Sequence, residues 1–260
     1  MTAPSSRPTQ CPHCGYDNQV ETYESINSHD RNLREKLIAG ALWTWRCSSC
    51  AKDTFSLYPV LYHDMRAWCM IYYLDRCMTE DPRVIERMVP AADQLTALRR
   101  FNLNYRFRLS RSVDDFIEKV RILDAGLDDR AMEYLKLQHA GAASEIRFER
   151  LVDGEPKRLE FGITSRSSKP CGRTAPLEIA YSAYADALAK INERMGSQPD
   201  VASGFIVVDQ SYVEERFPQI RPKRPETTAP TLQQPGDMGS IVFGKSKRFD
   251  EARKPWWRLW

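Results

Sequence analysis

Two closely spaced cysteine pairs are the residues whose type and spacing indicate chemistry most directly. Cys11 and Cys14 form one CxxC pair, Cys47 and Cys50 form another, and 32 residues (15–46) separate them. A CxxC turn places two thiolates on one side of a tight loop, and two such turns can surround one ion tetrahedrally. We therefore predict a zinc ion held by these four cysteines. Because four thiolates leave no coordination position for water, the predicted site is structural and not hydrolytic.

The residues around the two pairs differ in how well they suit a zinc-binding turn. Pro12 restricts the backbone of the first turn, and Gly15 leaves room for N–H groups to point at sulfur. The second turn has Ser48 and Ala51 where proline and glycine would fit better. His13 lies inside the first turn, and we expect it to point to solvent. The spacing between the pairs exceeds the roughly 15–20 residues of a compact zinc ribbon, so an additional element must lie between them.

Other interpretations of the cysteines are reduced buried thiols or a thioredoxin-like redox pair. A redox motif needs only one CxxC, and no βαβ pattern surrounds either pair. The remaining cysteines, Cys69, Cys77 and Cys171, have no partner at metal-binding spacing. We expect these three to be small core residues.

Histidine supplies a second candidate chemistry. His63 and Asp64 could act as a general base with its orienting carboxylate. Adjacent residues on a strand point to opposite faces, however, so the two side chains cannot pair directly. We interpret His63 as a hydrogen-bonded turn histidine.

Charged clusters have both a functional and a structural interpretation. Four carboxylates close in sequence could cradle a hard cation such as Mg²⁺: Asp124, Asp128, Asp129 and Glu133. Asp128 and Asp129 also stand where a helix favours an N-cap and a first-turn acid, which is the interpretation we prefer. Two arginine pairs could form a basic strip that contacts phosphates: Arg99, Arg100, Arg106 and Arg108. Strand alternation favours instead a solvated sheet face.

Apolar periodicity and turn residues predict an α+β protein. Between the cysteine pairs, residues 19–26 suit a strand, and residues 30–39 suit a helix that is capped by Asn27 or Ser28 and stopped by Gly40. This inserted helix accounts for the long spacing between the pairs. We therefore expect a zinc-ribbon-like antiparallel sheet with an inserted helix, followed by mixed helices and strands.

The later part of the chain carries several separate signals. Residues 81–98 suit two helices with a break at Pro90, and Ser112 suits a helix cap. Residues 146–164 suit a β-hairpin, and Pro176 is expected to open a long helix that ends at Gly196.

Composition limits the class of protein. The chain has 260 residues, of which 42% are hydrophobic and 28% charged, as expected of a globular protein with its own core. The longest apolar run, residues 68–74, is far shorter than the roughly 20 residues that cross a bilayer. The first ten residues are polar and lack the apolar stretch of a signal peptide, which favours the cytoplasm.

Positive charge is concentrated in residues 218–260. This segment carries nine Lys and Arg against four Asp and Glu, whereas the formal net charge of the whole chain is only +3. The rest of the chain is therefore slightly acidic, which makes it a poor electrostatic match for duplex DNA.

The same segment divides into a linker and an aromatic motif. Residues 218–243 are rich in proline and poor in apolar residues, so we predict a disordered linker. Residues 244–260 form a basic, tryptophan-rich tail whose predicted partner-binding residues are Trp256, Trp257, Arg258, Leu259 and Trp260. A groove on a protein partner is the preferred docking site for the tail, docking onto its own chain is second, and a membrane surface is third.

Several of these segments together resemble the CpXC domain. They are Cys11-Pro12-His13-Cys14-Gly15, the second CxxC pair, Tyr58-Pro59-Val60-Leu61-Tyr62-His63-Asp64, Glu118-Lys119-Val120-Arg121-Ile122 and Leu127-Asp128-Asp129-Arg130. The resemblance covers about residues 11–137 and implies a prokaryotic cytoplasmic protein with a zinc ribbon, without implying a reaction. We accordingly divide the chain into a disordered N-terminus (1–10), a CpXC domain (11–137), an α+β part packed on it (138–217), the linker and the tail.

Three functional hypotheses follow from the sequence. The preferred hypothesis includes no catalytic residue. The preferred one is a non-enzymatic adaptor, in which a zinc-stapled body carries the tail to an unidentified protein partner. The alternatives are a nucleic-acid-binding zinc-ribbon protein and an enzyme of unknown reaction with its site near His63.

Overall fold

The computed structural model describes residues 2–76, 78, 105–139, 144–165, 176–196 and 205–220. The two helices expected over 81–98, residues 221–243 of the predicted linker and the tail (244–260) lie outside the described residues. The first three residues of the predicted linker, Pro218–Ile220, form a 3-10 turn and are not disordered. Helices and strands are mixed along the described part, which confirms the α+β class.

The elements follow in this order: β1 (Ala3–Gln10), β2 (Asp17–Asn27), α1 (Arg31–Ile38), β3 (Thr44–Arg46), β4 (Asp53–Phe55), β5 (Val60–Asp64), β6 (Cys69–Tyr73), β7 (Arg106–Ser110), α2 (Val113–Asp124), α3 (Asp129–His139), β8 (Ser144–Val152), β9 (Arg158–Ser165), β10 (Leu177–Ala180), α4 (Tyr181–Met195) and α5 (Gln210–Arg216). Among the described residues, no helix is long and apolar enough to span a bilayer.

Three sheets organise these strands. The largest has the order β1-β2-β5-β6-β7, and its neighbouring pairs are alternately antiparallel and parallel. β3 and β4 form a separate antiparallel hairpin, and β10-β9-β8 form an antiparallel sheet. The expected antiparallel pairing therefore holds for the two hairpins that carry the cysteines, whereas the main sheet is mixed.

The N-terminal segment corrects one prediction, since residues 1–10 were expected to be disordered. Ala3–Gln10 pairs with β2 along its whole length, from Ala3 opposite Ser25 to Gln10 opposite Asp17. Ser5 Oγ and Thr22 Oγ1 lie 2.8 Å apart across the pair. A strand edge offers main-chain hydrogen bonds to any sequence, so pairing with β2 orders this polar segment without apolar side chains of its own.

One face of the main sheet packs against α1 and α2 around Trp43. The Trp43 ring makes edge contacts with Tyr73 and Phe116, and its Nε1 donates to the Tyr58 carbonyl at 3.2 Å. The Tyr58 hydroxyl in turn donates to the Leu42 carbonyl at 3.1 Å. This packing attaches the segment before the second cysteine pair to the sheet that carries the first.

Helix α1 begins close to its expected start at residue 30, but its N-cap lies two to three residues after the expected Asn27 or Ser28. Asp30 is the N-cap, and its Oδ1 accepts from the Leu33 N–H at 3.1 Å, in place of Asn27 or Ser28. Gly40 has φ +71°, which a glycine adopts without strain, and it ends the helix as expected. Ser112 caps α2 by accepting from the Asp115 N–H at 3.2 Å, which confirms that prediction.

A second core lies between β8–β10 and helices α3, α4 and α5. The hairpin of β8 and β9 is confirmed, but the long helix does not begin at Pro176. Leu177–Ala180 pairs with β9 as strand β10, and α4 begins at Tyr181. The tertiary pairing with β9 overrides the helix signal of the proline.

Candidate metal centre

Two hairpin turns carry the four clustered cysteines. Residues 11–16 connect β1 to β2, and residues 47–52 connect β3 to β4. The Cys11 carbonyl accepts from the Gly15 N–H at 2.9 Å, and the Cys47 carbonyl accepts from the Ala51 N–H at 3.0 Å. The two turns therefore have the same backbone bonding although their sequences differ.

The turns bring all four sulfurs together. Their Sγ atoms lie within 4.8 Å of one another. Cys11 Sγ is 3.8 Å from Cys50 Sγ, and Cys14 Sγ is 3.7 Å from Cys47 Sγ. A tetrahedral ion with bonds of about 2.3 Å to sulfur requires sulfurs about 3.8 Å apart, whereas a disulfide requires about 2.05 Å. The spacing suits four ligands of one metal ion, and all four cysteines are free thiols.

Positive φ angles mark the residue after each pair. Gly15 has φ +74° and Ala51 has φ +57°. Alanine therefore occupies, in the second turn, a backbone conformation that favours glycine. This explains why glycine would fit that position better, as the sequence indicates. His13 is exposed, as expected.

Asn18 connects the two turns, and no motif in the sequence indicates this role. Its Oδ1 accepts from both the N–H and the hydroxyl of Ser48, each at 2.9 Å. Its Nδ2 donates to the Tyr16 carbonyl at 3.0 Å and lies 3.6 Å from Cys47 Sγ. Hydrogen-bond partners of this kind orient the ligands of a metal ion and tune their affinity for it.

The protein environment favours thiolates in two of the four positions. Hydrogen bonding from the Cys50 backbone, assisted by Ser49 and Asn18 and opposed by burial, lowers the pKa of the Cys47 thiol to about 6. Burial opposes ionisation of Cys11, but backbone hydrogen bonds from His13 and Cys14 outweigh it and lower its pKa. Thiolate is the form that binds metal ions.

Cys50 shows the opposite shift. A backbone hydrogen bond from Lys52 favours its thiolate, but burial and the three neighbouring sulfurs together raise the pKa of Cys50 to about 11. Four sulfurs this close cannot all ionise without a cation between them. The donor set therefore fits a divalent ion that favours sulfur.

The family comparison agrees with this geometry. Residues 9–136 match the family described as CpXC protein. This stretch is a CpXC domain. It contains all four clustered cysteines and extends into α3, in agreement with the resemblance over about residues 11–137. No curated protein and no solved structure matches the chain.

His63 lies in strand β5 of the CpXC domain and not in a turn as expected, but it is hydrogen-bonded as expected. Its Nε2 contacts the Tyr105 hydroxyl, and burial lowers the pKa of His63 to about 4. Asp64 does not pair with it, because Asp64 Oδ1 accepts from the N–H groups of Arg66 and Ala67. The two residues therefore serve separate roles, as strand alternation predicted.

The four acids considered for Mg²⁺ do not form one cluster. Asp124 pairs with Arg34 at 2.6 Å, and Asp128 pairs with Arg130 at 2.7 Å. Asp129 pairs with Arg108 at 2.6 Å, where both side chains are buried. Each carboxylate thus has its own basic partner.

Arg108 corrects the expectation of a solvated arginine face. Its residue is only 2% exposed, and its guanidinium binds Asp129 through two hydrogen bonds of 2.6 and 3.1 Å. The sheet face that carries Arg108 is covered by α2 and α3. Strand alternation therefore predicts the face on which Arg108 lies, but that face is buried and not solvated. Arg99 and Arg100 lie outside the described residues.

Beside this pair lies a buried charge network that the sequence did not reveal. Lys136 Nζ binds Glu118 at 3.0 Å and Glu133 at 2.9 Å, and Lys119 Nζ lies 3.4 Å from Asp115. Three carboxylates of this group come within 4.8 Å of one another, but two lysines already lie among them. The spacings i, i+4 and i, i+3 on α2 and α3 are the only sequence signal for it.

The predictions for the three remaining cysteines and for the tail have different outcomes. Cys69 is buried in the core of the CpXC domain, as expected. Cys77, Cys171 and the five predicted tail residues, Trp256, Trp257, Arg258, Leu259 and Trp260, lie outside the described residues.

Proposed function

We propose that the CpXC domain binds a structural zinc ion and that the protein is a non-enzymatic, cytoplasmic adaptor. In this proposal the body holds one end of the molecule rigid, and the tail (244–260) docks on a protein partner. The observation that carries the proposal is the closed set of four sulfurs, because it leaves no position for a reacting ligand.

Zinc is the metal that this donor set suits best. Four thiolates in tetrahedral spacing are typical of zinc and of iron bound to sulfur. The two backbone turns and the Asn18 contact hold the sulfurs through hydrogen bonds of the protein itself. Zinc has no redox chemistry, which suits a structural role.

The buried charges support a structural role for the remainder of the domain. A cavity beside Arg108, Lys119 and Asp129 has a volume of about 10 Å³, which corresponds to roughly one water molecule. Each of these three side chains is engaged in an ion pair. A substrate has no room beside them, so the network supports folding and not catalysis.

The tail supports docking by its composition. Three tryptophans and an arginine lie within residues 256–260. Tryptophan and arginine are the residues that most often supply the energy of protein interfaces. The proline-rich linker before them can extend this motif over a long distance.

A capture experiment tests the docking proposal. The full chain, a chain without residues 244–260 and the triple variant Trp256→Ala/Trp257→Ala/Trp260→Ala are compared by affinity purification and quantitative mass spectrometry. We expect both changes to abolish capture of a partner that the full chain enriches, with folding and zinc content unchanged. Equal enrichment by all three chains would contradict the proposal.

A charge variant separates the alternatives. Lys254→Ala/Arg258→Ala keeps the tryptophans and removes two cations. Suppose that this variant loses the partner while the triple tryptophan variant keeps it, and that binding by the full chain weakens steeply as salt rises. That result would support nucleic-acid binding in place of protein docking.

A further inference from the structure

Two strand edges face each other beside the metal centre. β2 pairs with β1 from Asp17 to Ser25, but β5 covers its other edge only from Ser25 to Asn27. β3 pairs with β4 on one side only. Within the part of the chain that the structure describes, residues 17–24 of β2 and all of β3 therefore have an edge without a strand partner.

A groove of about 390 Å³ separates these two edges. Its lining includes consecutive residues of both strands, 18–21 of β2 and 44–46 of β3, as expected where backbone edges form the walls. Ligand sites typically have volumes of about 300–1,000 Å³, so the space is sufficient for a short peptide segment.

The groove is closed and held at one end by the metal centre. Asn18 and Ser48 both line it, and they are joined across it by two hydrogen bonds of 2.9 Å. Because the strands are tied together there, the distance between the two edges is set before any ligand binds. A site that needs little reorganisation binds more tightly.

Apolar and aromatic side chains cover part of the lining. Val20 and Leu42 are buried, and Tyr23 and Trp45 are half-buried. The Trp45 indole is fixed by donating to Ser56 Oγ at 3.0 Å, and the Tyr23 hydroxyl donates to Glu21 at 2.6 Å. Rigid aromatic rings of this kind contact apolar side chains of a peptide at low entropic cost.

The charged residues of the lining give the groove its polarity. Lys36 and Arg46 are exposed cations, whereas Glu21 is the one acid of the lining and already accepts the bond from Tyr23. The lining therefore has one more positive than negative charge. Charge complementarity favours a segment with acidic side chains.

We propose that this groove binds an extended peptide that alternates apolar and acidic residues, adding it as a strand between β2 and β3. Main-chain hydrogen bonds to the open edges supply the affinity, and alternate side chains reach the apolar and basic parts of the lining. None of the described residues that line the groove belongs to the tail, so the groove gives the proposed adaptor a second contact with a different class of partner segment.

The probe is a capped heptapeptide that alternates valine and glutamate, added to the zinc-loaded full chain. Binding is followed by fluorescence anisotropy and by amide chemical shifts. We expect a saturable interaction with the largest shifts at residues 18–23 and 44–46. N-methylation of alternate peptide bonds should weaken binding at least tenfold, because it removes the donors that an added strand needs.

Charge variants test the polarity. Arg46→Glu should weaken binding of the glutamate peptide at least fivefold and improve binding of the same peptide with lysine in place of glutamate. Arg66→Glu makes the same charge change at an exposed turn outside the groove and should leave the affinity within twofold. Trp45→Phe is a second variant that retains a ring and should weaken binding less than Arg46→Glu.

Several results would overturn the proposal. They are no saturation at millimolar glutamate peptide, equal binding of the N-methylated peptide, no effect of Arg46→Glu, or displacement by an oligonucleotide at these same amides. A chain without residues 244–260 should bind the peptide normally, so failure of tail docking and failure of the groove are distinguished.

Discussion

The Asn18 side chain accepts two hydrogen bonds of 2.9 Å from Ser48, one from its N–H and one from its hydroxyl. These bonds join the β1–β2 hairpin to the β3–β4 hairpin beside Cys47. The connection is independent of a metal, so it positions the second pair of sulfurs against the first. Asn18 is also buried, so a polar group left there without its hydrogen bond would destabilise the folded protein.

Asn18→Ala should weaken metal binding and destabilise the domain. Loss of the bonds to Ser48 and Cys47 should lower zinc affinity about 10–100-fold, since partners of metal ligands have effects of that size. It should also lower the free energy of unfolding by about 1–3 kcal/mol. Competition with a colorimetric chelator and urea denaturation measure the two effects.

The neighbouring Gln19→Ala is the matched control. Gln19 is exposed, and its side-chain oxygen accepts a hydrogen bond from the Ser6 hydroxyl at 3.1 Å on the protein surface. We expect its effect to stay within about 0.5 kcal/mol. Equal zinc affinities of the two variants would show that Asn18 has no role at the metal centre.

Cys14→Ser should remove the metal, whereas Cys69→Ala should retain it. Cys14 lies in the sulfur cluster, and Cys69 is buried elsewhere in the domain. The wild type and Cys69→Ala should each contain about one zinc per chain, and Cys14→Ser should lose both zinc and solubility. Elemental analysis of reduced protein gives the stoichiometry. A full zinc content in Cys14→Ser would contradict the assignment of four sulfur ligands.

The cluster of four cysteines could be predicted from sequence because its signal is local. The CxxC spacing alone indicates which sulfurs share a turn, and the positive φ of Gly15 and Ala51 belongs to the same local geometry. Asn18 could not be predicted, because its role depends on how one hairpin meets another. No periodicity or motif describes that contact.

The fold shows the same division between local and non-local signals. The Ser112 cap and the β8–β9 hairpin were predicted because their residues are close in sequence. The strand Ala3–Gln10 was missed because a polar segment is ordered by the edge of β2, which lies outside it. Arg108 was placed on the wrong kind of surface, since its partner Asp129 comes from another element.

Ala51→Gly should stabilise the zinc-loaded protein. Ala51 has φ +57°, a conformation that costs a residue with a Cβ about 1–2 kcal/mol. Glycine removes that strain but gains freedom in the unfolded chain, worth about 0.4–1 kcal/mol. We expect a net gain of about 0.5–1 kcal/mol in urea denaturation at saturating zinc.

Ala39→Gly makes the same exchange where the backbone is ordinary. Ala39 has φ −77° at the end of α1. Here glycine relieves no strain, so we expect a loss of about 0.5–1 kcal/mol. If both variants shift stability in the same direction, the left-handed strain at Ala51 is not significant.

The buried charge network should make stability depend on pH through Glu133. Four acids and three bases form the network: Asp115, Glu118, Asp129, Glu133, Arg108, Lys119 and Lys136. One acid therefore lacks a matching charge. Burial raises the pKa of Glu133 to about 7, against the attraction of Lys136 and Lys119.

The direction of the effect follows from proton binding. The pKa of Glu133 is higher in the folded than in the unfolded chain, so folding takes up a proton between pH 4.5 and 7. The associated stability is fully present below about pH 4.5 and is lost as the pH rises through about 7. The unfolding free energy should thus fall by about 2–3 kcal/mol across that window.

Glu133→Gln should remove this dependence. Its amide oxygen can still accept from Lys136, and the network then has three acids and three bases. We expect the difference in unfolding free energy between variant and wild type to shift in favour of the variant by about 2–3 kcal/mol from pH 5 to pH 8. Comparing the two proteins at each pH in equal zinc cancels the contribution of the cysteines. A constant difference over that range would show that Glu133 stays ionised in the folded protein, and the excess charge would then reside elsewhere in the network.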